Sequence, residues 1–409
     1  MTVLVIGGGI GGLTLALALG KAGIASRVFE AAPEIRPLGV GINLLPHAMR
    51  ELDALGLGAS LERVAVATRE QRHYNRFGQL VWAEPRGRHA GYDWPQLSIH
   101  RGELQRVLLE ALAARLGPQA IALGRKCVAL EQDAAGVTAR FESGERARGE
   151  CAIGCDGIRS AVRALLVPGE GPPAWQGINM WRGVTRARPF LGGDTMVIVG
   201  WLEVGKLVAY PIDRIEADGR QLVNWVAEIQ SPKSALQDWS LPGRLEDFYP
   251  VFADRAFDWL DCAALLREAQ TILEYPMVDR DPLPRWTEGR VTLLGDAAHP
   301  MYPRGSNGAG QAILDAAALA ACLQREHDAP AGLAAYEAAR LEAANAVVLM
   351  NRSDPPDAVL REVHRRSGDR PFARLEDVIG PEELARYAES YKRVAGFDRE
   401  SLARRASPA

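Results

Sequence analysis

The chain is poor in cysteine: Cys127, Cys151, Cys155, Cys262 and Cys322 are the only five among 409 residues. An odd, scattered set builds no disulfide framework and fits a reducing, cytoplasmic setting. Cys151 and Cys155 have no second pair nearby, which argues against zinc; buried free thiols and no metal are expected. Long apolar runs are also missing. Gly, Lys or Asp interrupts each within about 18 residues, too soon for a membrane span. The opening residues, MTVLVIGGGIGG, lack a basic stretch and a cleavage site and do not read as a secretory leader. Neither sign of charge dominates: 48 Lys and Arg face 51 Asp and Glu, a net −3, which leaves no nucleic-acid footprint. No internal repeat, low-complexity tract or nucleophile–base triad is visible.

Glycine is what the chain has, 41 of them, and they fall in motifs. In TVLVIGGGIGGLTLALALGKAGIASRVFE, the spacing predicts a buried strand Val3 to Ile6, a turn, a helix Leu13 to Lys21 and a second strand ending at Glu30. Gly7, Gly9 and Gly12 form G-x-G-x-x-G around Ile10 and Gly11. Gly7 permits the tight turn, Gly9 lets backbone approach a pyrophosphate, and Gly12 lets helix and strand pack closely. The free N–H groups of the helix start favour an anion. Glu30 lies 18 residues beyond Gly12 and is placed to accept hydrogen bonds from a ribose hydroxyl. This stretch predicts dinucleotide binding without deciding between NAD and FAD.

Two further turns follow. CAIGCDGIRSAVR predicts a strand, a sharp turn at Asp156-Gly157, and a helix carrying Arg159 and Arg163 on one face. GRVTLLGDAAHPMYPRGSNGAGQAILDAAALAACL predicts a strand, Gly295-Asp296, a loop rich in proline and glycine, and a helix over 309–323. In between, INMWRGVTRAR, DTMVIVGWLEVGKLVAYPIDR and RQLVNWVAEIQ alternate apolar and polar at period two, the pattern of a half-exposed antiparallel sheet. Trp181, Met196, Tyr210, Trp225 and Met301 are candidates for an aromatic substrate pocket beside it. Arg182 is a candidate for a substrate carboxylate; it alternates with Trp181, so only one of the two can face the pocket.

The three motifs, in this order, resemble the single-component FAD-dependent aromatic hydroxylases of the salicylate- and para-hydroxybenzoate-hydroxylase type, over roughly residues 1–345. The stretches EIRPLGVGINLLPHAMRELDALGLG, WAEPRG, SIHRGELQ, MWRGVT, LVAYPI and YPMVDRDPLPRW are similar to phenazine-modifying members. The resemblance implies an α/β fold: a Rossmann-like FAD-binding domain with a parallel sheet in three layers, a smaller mixed or antiparallel sheet domain, and C-terminal helices. The expected division is 1–70, 96–168 and 276–345 for FAD, 71–95 and 169–275 for the substrate sheet, and 346–409 for a helical segment. That last segment reads as an accessory layer or a subunit contact, the latter making a homodimer.

The resemblance also implies roles. Gly7, Gly9, Ile10, Gly11, Gly12 and Glu30 hold FAD, Arg101 reaches its phosphates, and the backbone of Val128 meets the adenine. Asp156 contacts FAD indirectly and guides NADH or NADPH; Arg159 and Arg163 either share that task or pair at the surface. Asp296 holds the ribityl chain, Pro303 lies beside the flavin ring, and Gly308 and Ala309 aim a helix start at its pyrimidine edge. His299 braces the loop. Gly310 stands where the family usually has Asn, so no side-chain contact to flavin is expected there. No catalytic side chain is assigned. The implied reaction takes NAD(P)H and O2 and hydroxylates a small aromatic or N-heteroaromatic substrate through a C4a-hydroperoxyflavin, with CO2 loss where the attacked carbon bears a carboxylate.

Rival readings are an FAD-dependent dehydrogenase without oxygen insertion and a non-catalytic flavin- or NAD-binding protein. A disulfide reductase would need a cysteine pair soon after the first helix, and residues 13–60 contain none. A halogenase would want W-x-W-x-I, which is absent.

Overall fold

The computed structural model describes residues 1–36, 39–230 and 241–406. Pro37 and Leu38, within the first phenazine-type stretch, and 231–240, within the expected substrate-sheet span, lie outside the described residues.

Short β-branched runs form a five-stranded parallel sheet. Its order is Val291–Leu293, Cys151–Gly154, Thr2–Ile6, Ala25–Phe29 and Ile121–Ala122. Both faces are covered, as a parallel sheet requires. The helices Ile10–Lys21 and Gly308–Glu326 pack on it and on each other. The other face is covered by the three-stranded antiparallel sheet Cys127–Asp133, Gly136–Phe141 and Arg146–Gly149, where Phe29 stacks on Phe141.

All three motifs sit at the carboxyl ends of neighbouring strands, Thr2–Ile6, Cys151–Gly154 and Val291–Leu293. Strands that pair in register therefore bring together turns that are far apart in sequence. Open α/β sheets bind ligands at such ends.

The second layer is an eight-stranded sheet in the order Leu241–Pro242, Thr271–Asp279, Ala174–Ala187, Gln221–Gln230, Lys206–Pro211, Thr195–Val199, Glu70–Tyr74 and Leu80–Pro85. It is antiparallel except where Thr195–Val199 runs parallel to Glu70–Tyr74. Both faces are buried. The back face packs on Phe248, Phe252 and Leu266. The front face meets the C-terminal helices and Tyr302. The helices Ala329–Ser353, Ala358–Ser367 and Pro381–Val394 then wrap from the FAD-type sheet to the second one. Among the described residues, no helix is long and apolar enough to cross a membrane.

Candidate active site

Between the two sheets lies a cavity of about 350 Å³, within the range of small-ligand sites. One end is built from the glycine turns. Gly7 has φ of +112°, and a Cβ there would fall 2.4 Å from the Cys155 carbonyl oxygen. At Gly12 a Cβ would come within 2.0 Å of the Gly7 oxygen, so helix and turn close only on glycine. A Cβ on Gly9 would instead meet nothing within 4 Å, because it would point into the cavity. The Glu30 carboxylate accepts from the backbone N–H groups of Gly8 at 2.7 Å and Ala32 at 2.8 Å, holding the turn and the second strand together.

The loop of the third motif forms the adjoining wall through Asp296, Met301, Pro303, Gly308 and Ala309. Protein packed around Asp296 raises its carboxyl above the usual range, against the opposing charges of His299 and Arg101. The carboxylate stays open to the cavity, which it shares with Arg101. The helix Gly308–Glu326 starts without a side-chain cap, since the Asn307 amide is turned to His47 and Tyr391. Its first N–H groups, at the positive end of the dipole, face the cavity.

Buried braces fix this loop. His299 Nε2 lies 2.6 Å from Asp315 Oδ2, and Arg340 Nε donates to Asp315 Oδ1 at 2.8 Å. Burial by itself would raise the Asp315 carboxyl; the two basic neighbours outweigh it and hold it at about 2. Arg163 is buried and donates to the carbonyls of Ala297 at 3.0 Å and Ala298 at 2.7 Å, with Glu170 as its counter-charge. The second motif thereby clamps the third. Of the alternatives left open for Arg163, the geometry favours neither the surface nor the cofactor. The Asp156 carboxylate accepts from the N–H groups of Ala161 and Val162 and from the Ser160 hydroxyl, so it caps the following helix. Val128 stands exposed on the strand Cys127–Asp133, outside the cavity wall. Cys155 lines the cavity, but burial pushes its thiol well up and leaves it a poor nucleophile.

The other end of the cavity is the front face of the eight-stranded sheet. Cross-strand pairing lays Trp82, His73, Ile198, Val208, Val226 and Arg182 in one row, all in the cavity wall. Met180, Met196 and Tyr210 flank that row, and Met301 enters from the opposite side.

Trp181 and Trp225 are a correction. Alternation puts both on the back face, because their neighbours Arg182 and Val226 take the front. Trp225 is fully buried over Gly183, where a Cβ would lie 2.3 Å from its ring, and its Nε1 donates to Thr185 Oγ1 at 3.0 Å. Trp181 stacks on Phe248 at 5.2 Å between ring centres. Neither lines the cavity.

Several wall residues escaped sequence reasoning. Gln71, His73, Glu84, Lys206 and Glu228 are buried polar residues on strands and Arg86 directly follows one, a pattern that was itself the available signal. The C-terminal segment, expected as an outer layer or subunit contact, supplies Asp357, Tyr391, Lys392 and Phe397 to the wall. Tyr391 lies under the loop, 2.7 Å from Asn351 Oδ1, and its hydroxyl accepts from Asn307 Nδ2 at 3.1 Å.

A flavin nucleotide fits these residues. The Gly9 opening and the uncapped helix start suit an anionic, negatively polarised ligand, and the open carboxylate of Asp296 suits a hydroxylated chain. A family model described as an FAD binding domain matches residues 1–189 and 264–351. The chain belongs to this family, and with it to the FAD-dependent aromatic monooxygenases.

Over 405 residues it is 43% identical to a phenazine 1,6-dicarboxylic acid hydroxylase of Lysobacter antibioticus, covering 96% of each chain. It is 35% identical over 413 residues to a 3-amino-4-hydroxybenzoate 2-monooxygenase of Streptomyces platensis, covering 97% of this chain and 96% of that one. The structure of Klebsiella pneumoniae HpxO complexed with FAD and uric acid superposes with a TM-score of 0.75 at 26% identity, over 98% of this chain and 97% of that one. The enzyme uses FAD with NAD(P)H and O2 to hydroxylate an aromatic ring, and the dehydrogenase and non-catalytic readings are not favoured.

Proposed function

We propose that this enzyme hydroxylates a fused N-heteroaromatic carboxylic acid of the phenazine type. The observation that carries the reading is the single cavity that runs from Gly9 and Asp296 to the row ending in Arg182. Its glycine end is lined by Gly9, Ile10 and Gly11, and its sheet end by aliphatic and aromatic side chains with buried acidic and basic residues at the margin. The relative 43% identical to this chain bears the name of a phenazine dicarboxylic acid hydroxylase, which supports the substrate class.

FAD, when bound, would supply the reduction of O2 and the transfer of one oxygen atom to the ring. The residues hold and exclude. Gly7, Gly9, Ile10, Gly11, Gly12 and Glu30 receive the nucleotide, Arg101 its phosphates and Asp296 its ribityl hydroxyls, while the backbone at exposed Val128, beyond the cavity wall, meets its adenine edge. Pro303, Gly308 and Ala309 border the ring. Met180, Met196, Ile198, Val208, Tyr210 and Met301 sandwich the substrate and keep water out, which protects the oxygen transfer from leaking as peroxide. Asp156 acts through the turn it caps and guides the nicotinamide donor.

Hydroxylation at a C–H position consumes O2, NAD(P)H and a proton and yields the phenol, water and NAD(P)⁺. At a carboxyl-bearing carbon, the same inputs acting on the ring acid yield phenol, CO2, water and NAD(P)⁺.

The reading includes a cytoplasmic enzyme, supported by five free thiols, and a homodimer paired through the outer faces of the C-terminal helices, which sedimentation velocity tests. The substrate is tested by NADH and NADPH oxidation in the presence of phenazine-1,6-dicarboxylate, phenazine-1-carboxylate and 3-amino-4-hydroxybenzoate, with product mass read for each. Stimulation by the phenazines above the benzoate supports the proposal; stimulation by the benzoate alone contradicts it.

A further inference from the structure

At the sheet end of the cavity, charged residues are buried together. Lys206 Nζ meets Glu228 at 2.8 Å and Asp357 at 2.5 Å. Glu84 is held by Arg86 at 2.5 Å and by Lys392 at 2.8 Å. Every carboxylate in this group thus has a lysine or arginine on it. Arg304 differs in having no ion pair among the described residues, whereas an unpartnered Nε recurs on Arg86 and Arg182. Its side chain is more than nine-tenths buried in the cavity wall, and its Nε has no hydrogen-bond partner. Among the described residues no carboxylate lies within ion-pair distance of it. Its near neighbours are the Trp201 ring, 5.9 Å from the guanidinium carbon, and the charge of Asp357, whose Oδ2 is taken by Lys206 and whose Oδ1 has no hydrogen-bond partner but lies beyond ion-pair distance of Arg304. Lys392 is also paired with Glu389 at 2.8 Å, so Arg86, Lys206, Arg304 and Lys392 face four carboxylates, and Arg304 alone among the four cations has no ion pair. A buried guanidinium without an acceptor costs several kcal/mol unless something else satisfies it.

We infer that Arg304 is the anchor for a carboxylate on the aromatic substrate, and so a specificity-determining residue. This rests on the proposed aromatic-acid substrate and names the group that reads the acid. Its position supports the assignment. Arg304 follows Pro303 directly, on the loop expected along the flavin ring, and it lines the cavity with its guanidinium towards Trp201. An anion held there fixes the ring relative to the flavin. Arg182, the arginine expected from the sequence, likewise has an Nε without a hydrogen-bond partner but is otherwise engaged, donating to the Gly41 carbonyl at 3.1 Å and bonding to Tyr210. The planar fork of Arg304 matches a carboxylate in two-point fashion.

The test uses FAD-loaded enzyme and two ligand pairs, each a carboxylate and its neutral carboxamide: phenazine-1-carboxylate with phenazine-1-carboxamide, and 3-amino-4-hydroxybenzoate with 3-amino-4-hydroxybenzamide. Perturbation of the flavin spectrum reads Kd for wild type, Arg304→Gln and Arg304→Lys, and thermal melts with bound-flavin content confirm that each variant is folded. Wild type is expected to prefer the carboxylate by about 10- to 100-fold. Arg304→Gln should lose that preference while carboxamide Kd moves little, and Arg304→Lys should recover part of it. A merely structural arginine would shift both members of a pair alike, and an unchanged ratio in Arg304→Gln overturns the inference. If only the benzoate pair binds, and its ratio depends on Arg304, the anchor stands and the phenazine reading fails. If the phenazines bind with a ratio indifferent to Arg304, the reading stands and the anchor fails. If neither pair binds wild type, both fail.

Discussion

His299 Nε2 and Asp315 Oδ2 are 2.6 Å apart and fully shielded from solvent. The contact joins the turn after Asp296 to the helix that begins at Gly308, and Arg340 completes it from the next helix. Asp315 also accepts the Gly295 N–H at 3.1 Å. Asp315→Asn removes the charge that both basic partners face and leaves them buried without it. The expected loss is about 3–5 kcal/mol of stability, with weakened FAD retention. Chemical denaturation of the FAD-free chain and flavin content on gel filtration read the two effects.

Two glycines separate folding from cofactor binding. At Gly12 an added methyl meets backbone at 2.0 Å, so Gly12→Ala should lower stability with or without FAD. At Gly9 the methyl enters open cavity, so Gly9→Ala should leave the melting temperature of the FAD-free protein within about 2 °C of wild type, a shift expected of a surface-like change. Its FAD affinity should fall by on the order of 10-fold or more, the cost of keeping backbone from the pyrophosphate. Melting curves and FAD fluorescence titrations of both variants check this.

The two faces of the large sheet predict opposite behaviour. Trp225→Phe loses the bond to Thr185 and some packing on Phe248, so it should cost about 1–3 kcal/mol of stability and leave substrate affinity unchanged. Met196→Ala, on the front face, should raise substrate Kd several-fold through lost contact area. Denaturation midpoints and spectral titration of both variants distinguish them.

His73 supplies a pH signature. Burial pushes its imidazole from 6.5 down to about 4. Between those values the unfolded chain binds a proton that the folded chain refuses. The stability His73 permits is therefore complete above pH 6.5 and is lost as pH falls through about 4. The loss is about 3 kcal/mol at most. His73→Gln should flatten this part of the profile relative to wild type, as urea melts at the two ends of the window would show.

What the sequence revealed follows from how locally each feature is encoded. The turns at Gly7, Asp156 and Asp296 were readable because each needs special residues within a few positions, flanked by a strand and a helix. The pocket was less so. Alternation around Trp181 and Arg182 says that they point apart, not which one meets the ligand. That was decided by Phe248, a partner of Trp181 distant in the chain. The Lys206–Asp357 and Tyr391–Asn307 contacts join segments 151 and 84 residues apart, and no local pattern announces them. Arg304 stood inside a motif whose glycines and prolines drew the reading, while its lack of an acceptor is visible only in three dimensions.

The central claim is that one cavity holds a flavin at its glycine end and an aromatic acid against the sheet, so that oxygen passes between them. The most direct measurement is a turnover of the FAD-loaded enzyme with NADH and phenazine-1,6-dicarboxylate under heavy-isotope O2, followed by mass analysis of the ring product. The account predicts one labelled oxygen atom in the product for each ring consumed. NADH oxidation that ends in hydrogen peroxide with an unlabelled, unchanged ring would contradict it.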